Sequence, residues 1–406
     1  MTEIAIQIAN RASRCATVAG LVSALVTAAP ARTVVAQGTG ALTSSVVADD
    51  SSNRNGEEEE KTTAGGPSFL PIPIFITEPA IGVGFGAVLA HFHKKPGGTG
   101  GEASIPRAMT SHTPTETGRQ RKPPPTITGV AAAYTDNGTW AAGIGHSASW
   151  KKDTVRYSGA IAYADVKSAV YLAGIPFNFD IKGGILLQDI KFRLGKSNFF
   201  LGGKLSALAA TSKIEFGSKR PIELDEGDRT NIGLAVQAIF ETRDNVVTPN
   251  HGQLIQLDLW RYDDAIGGDF DYWSATFKVN SFHQLADRFV LGWRIDARAV
   301  DGRPPFWGYP WVSLRGIPAL RYQQKRVGVV EMECRYNLAN RWGVVGFFGT
   351  GVTDGDISIF EPKHDIYAGG IGGRFLFKQD ENLWVGIDIA RGPEDMYWYI
   401  QVGQAW

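Results

Sequence analysis

The stretch Phe289-Val290-Leu291-Gly292-Trp293-Arg294-Ile295-Asp296-Ala297-Arg298-Ala299 decides how the chain folds. Phe289, Leu291, Trp293, Ile295, Ala297 and Ala299 share one face of an extended segment; Val290, Gly292, Arg294, Asp296 and Arg298 share the other. Side chains alternate across a strand, so this two-residue period describes a β-strand with one apolar and one polar face. The pattern recurs. Ile232, Leu234, Val236, Ala238 and Phe240 back onto Asn231, Gly233, Gln237 and Glu241, while Val330, Met332, Cys334 and Tyr336 oppose Glu331, Glu333 and Arg335. Many of these runs are about ten residues long, the length that crosses a bilayer at a tilt. A soluble sandwich would alternate in the same way, but its turns would come sooner.

Working outward, strands are expected near 80–93, 126–134, 139–150, 155–165, 168–174, 181–194, 199–216 and 229–243, then 253–262, 271–283, 288–299, 325–337, 342–352, 366–378, 383–391 and 397–406. That is about sixteen, with fourteen as the alternative and 168–174 as the least clear member, and single-chain bacterial barrels have an even number. Tight turns are expected at Thr135–Gly138, Gly195–Asn198, Ala286-Asp287, Ala339-Asn340 and Gln379–Asn382, and longer connections at 94–125, 263–270, 300–324 and 353–365. Short turns on one rim and long loops on the other complete the pattern of a transmembrane antiparallel β-barrel. Pairing of the last strand with the first would close it and leave no open edge. On the last strand Trp398 and the terminal Trp406 read as aromatics at the membrane interface.

The rest of the composition agrees. Among 406 residues there are 48 glycines, 21 phenylalanines, 11 tryptophans and only 2 cysteines, and 41 basic side chains balance 41 acidic ones. A neutral chain has no global field to attract nucleic acid, and two cysteines make neither a disulfide framework nor a tetrahedral zinc site. Arg11 and Arg14 precede an apolar run from Cys15 to Ala29, too short for a spanning helix and of the size of a signal-peptide core; cleavage is expected after Ala36. Residues 37–70, with Glu57–Glu60 and Gly65-Gly66-Pro67, read as a solvated acidic linker, and 71–406 as the barrel. The stretch 94–125 is rich in Gly, Pro, Thr and Ser and reads as a long surface loop.

No catalytic constellation emerges, so an enzyme is not expected. Gly82-x-Gly84-x-Gly86 sits in a strand pattern with no helix behind it, which favours close packing over phosphate binding. His91 and His93 share a strand face but lack a third ligand at suitable spacing, so neither a metal nor a cofactor is expected. Cys334 falls on the apolar, lipid-facing side.

Several motifs, in order, resemble those of the BamA/TamA family of outer-membrane barrels, the bacterial surface antigens. Leu314-Arg315-Gly316-Ile317, in the long late loop, resembles the family's Val/Ile-Arg-Gly-Phe/Tyr motif, and Glu333 matches its inward glutamate. Phe347-Phe348-Gly349-Thr350-Gly351 resembles its Phe-x-Asp-x-Gly wall motif, with Gly349 where the family has Asp. Glu241-Thr242-Arg243-Asp244 is similar to its Asp-Thr-Arg-Asp turn, and the closing strand ending at Trp406 is also similar. The resemblance implies a loop folded back into the barrel, with Arg315 held by Glu333 and with Glu331 or Asp388 standing in for the missing Asp. It also implies a bacterial outer-membrane location, contact with outer-membrane lipid, a monomer, and client outer-membrane or secreted polypeptides whose insertion or translocation the barrel aids. Family members with that activity usually carry periplasmic POTRA domains, which the linker is too short to hold. The alternative is a passive channel or a structural surface-exposed barrel. An inserted loop would plug the lumen and argues against an open pore.

Overall fold

Residues 69–93, 126–172, 175–216, 222–245, 248–338, 341–360, 362–378, 383–403 and 405–406 are described by a computed structural model. The expected signal peptide, most of the acidic linker and the 94–125 connection lie outside the described residues.

The alternation seen at 289–299 shapes a wall. Sixteen antiparallel strands follow one another around a single sheet, each bonded to its sequence neighbours. They are β1 Phe69–Glu78, β2 Gly82–Phe92, β3 Ile127–Thr135, β4 Trp140–Trp150, β5 Val155–Leu172, β6 Ile175–Arg193, β7 Phe199–Phe216 and β8 Ile222–Glu241. The circuit continues with β9 Gly252–Tyr262, β10 Asp271–Ala286, β11 Phe289–Arg303, β12 Arg326–Asn337, β13 Trp342–Asp354, β14 Ile366–Lys378, β15 Leu383–Arg391 and β16 Met396–Val402. Along β12 the buried positions Val327, Val329, Glu331, Glu333 and Arg335 face the lumen, and Val330, Met332, Cys334 and Tyr336 face out. Outward positions elsewhere carry Phe85, Ile144, Ile161, Val236, Phe348, Ile371 and Trp398, all exposed. This apolar outer wall around a polar, filled interior is the surface that a bilayer solvates.

The count of sixteen is as expected, but two of its members differ. The expected strand at 168–174 is the continuation of β5, whose inward row Ala162, Ala164, Val166, Ser168 and Val170 is buried without interruption. The missing member is β1. Its sequence, FLPIPIFITE, contains Pro71 and Pro73, which read against a strand. Proline is admitted on an edge, where its missing N–H faces away from the ladder, and β1 pairs only with β2, from Phe69↔His91 to Glu78↔Gly82.

This earlier start also reverses the parity of one loop. The connections after β9, β11 and β13 leave by one rim, whereas 93–126 follows β2 and leaves by the rim of the short turns 194–198, 287–288 and 338–341. Thr135–Gly138, conversely, turns at the long-loop rim.

The barrel is nearly closed. Among the described residues no ladder joins β16 to β1, and the seam carries one hydrogen bond, from the Ile400 N–H to Thr77 Oγ1 at 3.3 Å. The expected partner of the last strand, 80–93, is one strand away from the seam.

Glycines on the inner wall of β13 clear space for the connection between β11 and β12. A Cβ on Gly349 would lie 2.5 Å from Leu314 Cδ2, and one on Gly351 2.5 Å from Val312 Cγ1. That connection, residues 304–325, runs into the lumen and buries Phe306, Trp307, Val312, Leu314, Ile317 and Leu320. Phe306 meets Phe179 of β6 edge-on at 5.4 Å, and Trp307 meets Phe270 at 5.6 Å. The aromatic-proline cluster 304–311 is thus packing, supported by Gln323 Nε2 donating to the carbonyls of Phe306 (2.8 Å) and Tyr309 (3.2 Å).

Candidate functional site

The inserted loop places Arg315 against three carboxylates. Arg315 Nη2 lies 2.8 Å from Glu331 Oε1 and 2.7 Å from Glu333 Oε2, and Nη1 lies 2.9 Å from Asp388 Oδ2. Glu331 and Glu333 are successive inward residues of β12, and Asp388 is an inward residue of β15, so two intervening strands separate the acids until the loop joins them. The guanidinium also sits over the Phe347 ring, 3.5 Å from its centroid. A planar fork that bonds carboxylates and stacks on an aromatic face is what arginine supplies and lysine does not.

Further arginines keep the acids from repelling one another. Arg294 Nε reaches Glu331 Oε2 at 2.7 Å and donates to the Ser313 carbonyl of the loop; Arg374 Nη2 reaches Asp388 Oδ2 at 3.0 Å. With Arg335 Nε 3.9 Å from Glu333 Oε1, three buried carboxylates face four guanidiniums, and breaking one member upsets the balance of buried charge. Position 349 holds Gly where the motif it resembles has Asp. Asp388 supplies the carboxylate from another strand, and Gly349 makes room for Leu314.

Gly316 is the hinge of the motif. Its φ of +97° is left-handed, and a Cβ there would lie 3.0 Å from the Arg391 carbonyl carbon and the Gly392 nitrogen. Only glycine tolerates both constraints. Its N–H donates to the Tyr399 hydroxyl of β16 at 2.9 Å, and three residues on the Ala319 N–H donates to Glu78 Oε1 of β1 at 3.1 Å. The loop therefore holds both seam strands from inside. Arg321 adds a pair with Glu394 in the β15–β16 turn and lies over the Tyr171 ring at 4.5 Å. That bond keeps the Glu394 carboxyl below the ordinary glutamate range, against the opposing effect of partial burial.

The remaining motif residues are distributed as follows. Phe347 joins the Arg315 site, while Gly349 and Gly351 accommodate the loop. Glu241 and Arg243 form a buried bidentate pair (3.0 and 2.9 Å) at the β8–β9 turn, not in contact with Arg315 itself. Asp244 Oδ1 accepts the N–H groups of Asn245, Asn250 and His251 within 2.9–3.1 Å, so this motif shapes a turn. Arg335 clasps the same turn through the Pro249 carbonyl. Trp398 faces outward as expected, but Trp406 does not lie at a lipid interface. Its ring lies tilted at 5.3 Å against Phe282, whose side chain is buried, and occupies the space that a Cβ on inward-facing Gly292 would need. Alternation from Trp398 could not show this, because the strand ends at Val402 and the period stops there.

Sequence reasoning found Arg315, Glu331, Glu333 and Asp388. It missed Arg294 and Arg374, and the Glu78 and Tyr399 anchors. Arg294 and Arg374 lie on inward positions readable from alternation; Glu78 lay in a segment assigned to no strand.

No protein-family model matches the sequence, and no curated protein does. The fold does have solved counterparts. BamA from Haemophilus ducreyi lacking POTRA domains 1–3 is similar at a TM-score of 0.54 and 10% identity, over 83% of this chain and 70% of that one. CdiB from Escherichia coli gives 0.53 at 11%, and CdiB from Acinetobacter baumannii 0.50 at 12%, each over 82% of this chain. The chain spans 62% and 59% of those two CdiB chains. At these identities the likeness is one of fold.

Proposed function

We propose that the chain is a bacterial outer-membrane barrel that aids the insertion or translocation of polypeptides, acting at the seam between β1 and β16 under control of the inserted loop. The observation that carries this reading is the seam itself. Among the described residues, fifteen of the sixteen junctions are ladders, and the sixteenth is held by one hydrogen bond and a loop. A purely structural barrel gains nothing from leaving one edge unpaired, since closure removes the edge altogether. The likeness of fold to BamA and CdiB supports the reading. Lipid on the outer wall, a single copy, polypeptide clients and the absence of any chemical step belong to the same proposal.

The passive-channel alternative has less support, because residues 304–325 fill the lumen with buried side chains. The deciding experiment removes the gene and measures other outer-membrane and secreted proteins. Selective loss of some of them supports the proposal; unchanged levels of all of them, with the barrel normally abundant beforehand, overturn it.

A further inference from the structure

The β4–β5 turn has a backbone that its residues would not choose. Lys151, Lys152 and Asp153 have φ of +52°, +57° and +69°, three consecutive left-handed residues without a glycine. L-residues rarely adopt this region, and a run of three persists only where the surroundings fix it. The fixing is done by Asp153, which is 3% exposed on the lumen side. It accepts from Ser149 Oγ at 2.9 Å and from Arg156 at 2.6 and 2.7 Å, and it also bonds Arg193. Both arginines lie over the buried Phe200 ring, at 4.3 and 4.6 Å. The result is to hold Lys151 and Lys152 fully outward at the rim, beside the stacked pair Trp150–Tyr157.

Above this turn the outer wall is polar where it should be apolar. Thr128 Oγ1 lies 2.8 Å from His93 Nε2 and 2.8 Å from His146 Nδ1, and the Tyr157 hydroxyl bonds Gln188 Oε1. Thr128, His146, Gly159 and Gln188 are paired across β3, β4, β5 and β6 and form one row on the outward face. Gly159 belongs to the design of the row, since a Cβ there would lie 2.3 Å from the Tyr157 hydroxyl. His146 is four residues inside Trp150. At about 3.3 Å per residue and a tilt near 45° that is roughly 9 Å of depth, close to the thickness of the headgroup region. Cations at the rim, hydrogen-bonding groups one headgroup deeper and apolar wall beyond match, layer by layer, a phosphate, its glycerol esters and acyl chains.

We propose that the β4–β5 hairpin and the adjoining polar row bind one anionic phospholipid, its phosphate on Lys151 and Lys152 and its ester groups on Thr128 and His146. Full-length barrel, purified in mild detergent, is offered dioleoylphosphatidylglycerol or dioleoylphosphatidylcholine, and retained lipid is counted by native mass spectrometry. Phosphatidylglycerol should be retained more strongly, and Lys151→Ser/Lys152→Ser should weaken it roughly tenfold without changing phosphatidylcholine. Thr128→Val/His146→Leu should weaken both lipids by a similar factor, since the esters are common to them. Lys196→Ser, on the neighbouring short turn, should change neither. Heat-modified gel mobility confirms that each variant is folded. Equal retention of the two lipids, an undiminished preference in the lysine variant, or an equal loss in Lys196→Ser overturns the proposal. So does a protein dimer that these substitutions dissolve, which would make the row a contact between barrels.

Discussion

Among the described residues Arg315 is the one cation that touches acids from two distant strands, and its removal has a calculable consequence. Arg315→Ala leaves Glu331, Glu333 and Asp388 with Arg294, Arg374 and, 3.9 Å from Glu333, Arg335 to balance them. Stripping one partner from a buried network of this kind costs about 3–5 kcal/mol. The expected outcome is a lower unfolding temperature and reduced surface abundance, with Arg315→Lys falling between because it keeps charge but not the fork or the stacking on Phe347. Identical heat-modified mobility and abundance in both variants would sink the idea. Position 349 gives the complementary test. An aspartate there, Gly349→Asp, should destabilise, because its Cβ meets Leu314, and Leu314→Ala in the same chain should recover part of the loss. Refolding yield and urea midpoint measure both. At this scale the sequence marked Arg315 and its three acids through motif order and alternation. It placed Trp406 at the membrane interface wrongly, because a residue beyond the last period has no face to assign.

Strands were legible wherever one face was apolar and the other polar, since a slip of one residue would turn every side chain of β8 or β12 inside out. β1 was illegible for a physical reason. Pro71 and Pro73 lower its strand propensity, yet an edge tolerates them because the lost donors point away from β2. The same geometry leaves the seam edge of β1 poor in donors at two positions. Replacing both, with Pro71→Thr/Pro73→Thr, should therefore allow bonds to β16. The expected result is a higher yield of the disulfide between Thr77→Cys and Ile400→Cys and slower amide exchange over 396–402. Unchanged exchange would show that the prolines do not keep the seam apart. The loop contributes its own term through Arg321 and Glu394. A carboxylate whose folded pKa is depressed stabilises above its unfolded value, near 4.3, and loses that contribution as pH falls through the folded value. Protection of the loop around Arg321 should accordingly fall on acidification below about pH 4, and Glu394→Gln should remove that dependence while lowering protection at neutral pH.

Across the whole molecule the loop has two roles that a single deletion separates. It fills the lumen through Phe306, Trp307 and Leu320, and it holds the seam through Gly316 and Ala319. Removing 304–325 abolishes both. Glu78→Gln with Tyr399→Phe weakens only the second, since it withdraws a carboxylate and a hydroxyl acceptor from the seam strands and leaves the packed core in place. In planar bilayers the deletion should give large, steady conductance, because the interior then holds water where side chains stood. The double substitution should conduct little, yet should raise crosslinking between β1 or β16 and added unfolded outer-membrane polypeptide. Conductance equal to the deletion's would mean that these two contacts hold the plug as a whole. Client crosslinking unchanged from wild type, with the seam disulfide of Thr77→Cys/Ile400→Cys forming less readily, would mean that an open seam alone recruits no polypeptide, and the transport reading would then fail while the barrel and its lock stood.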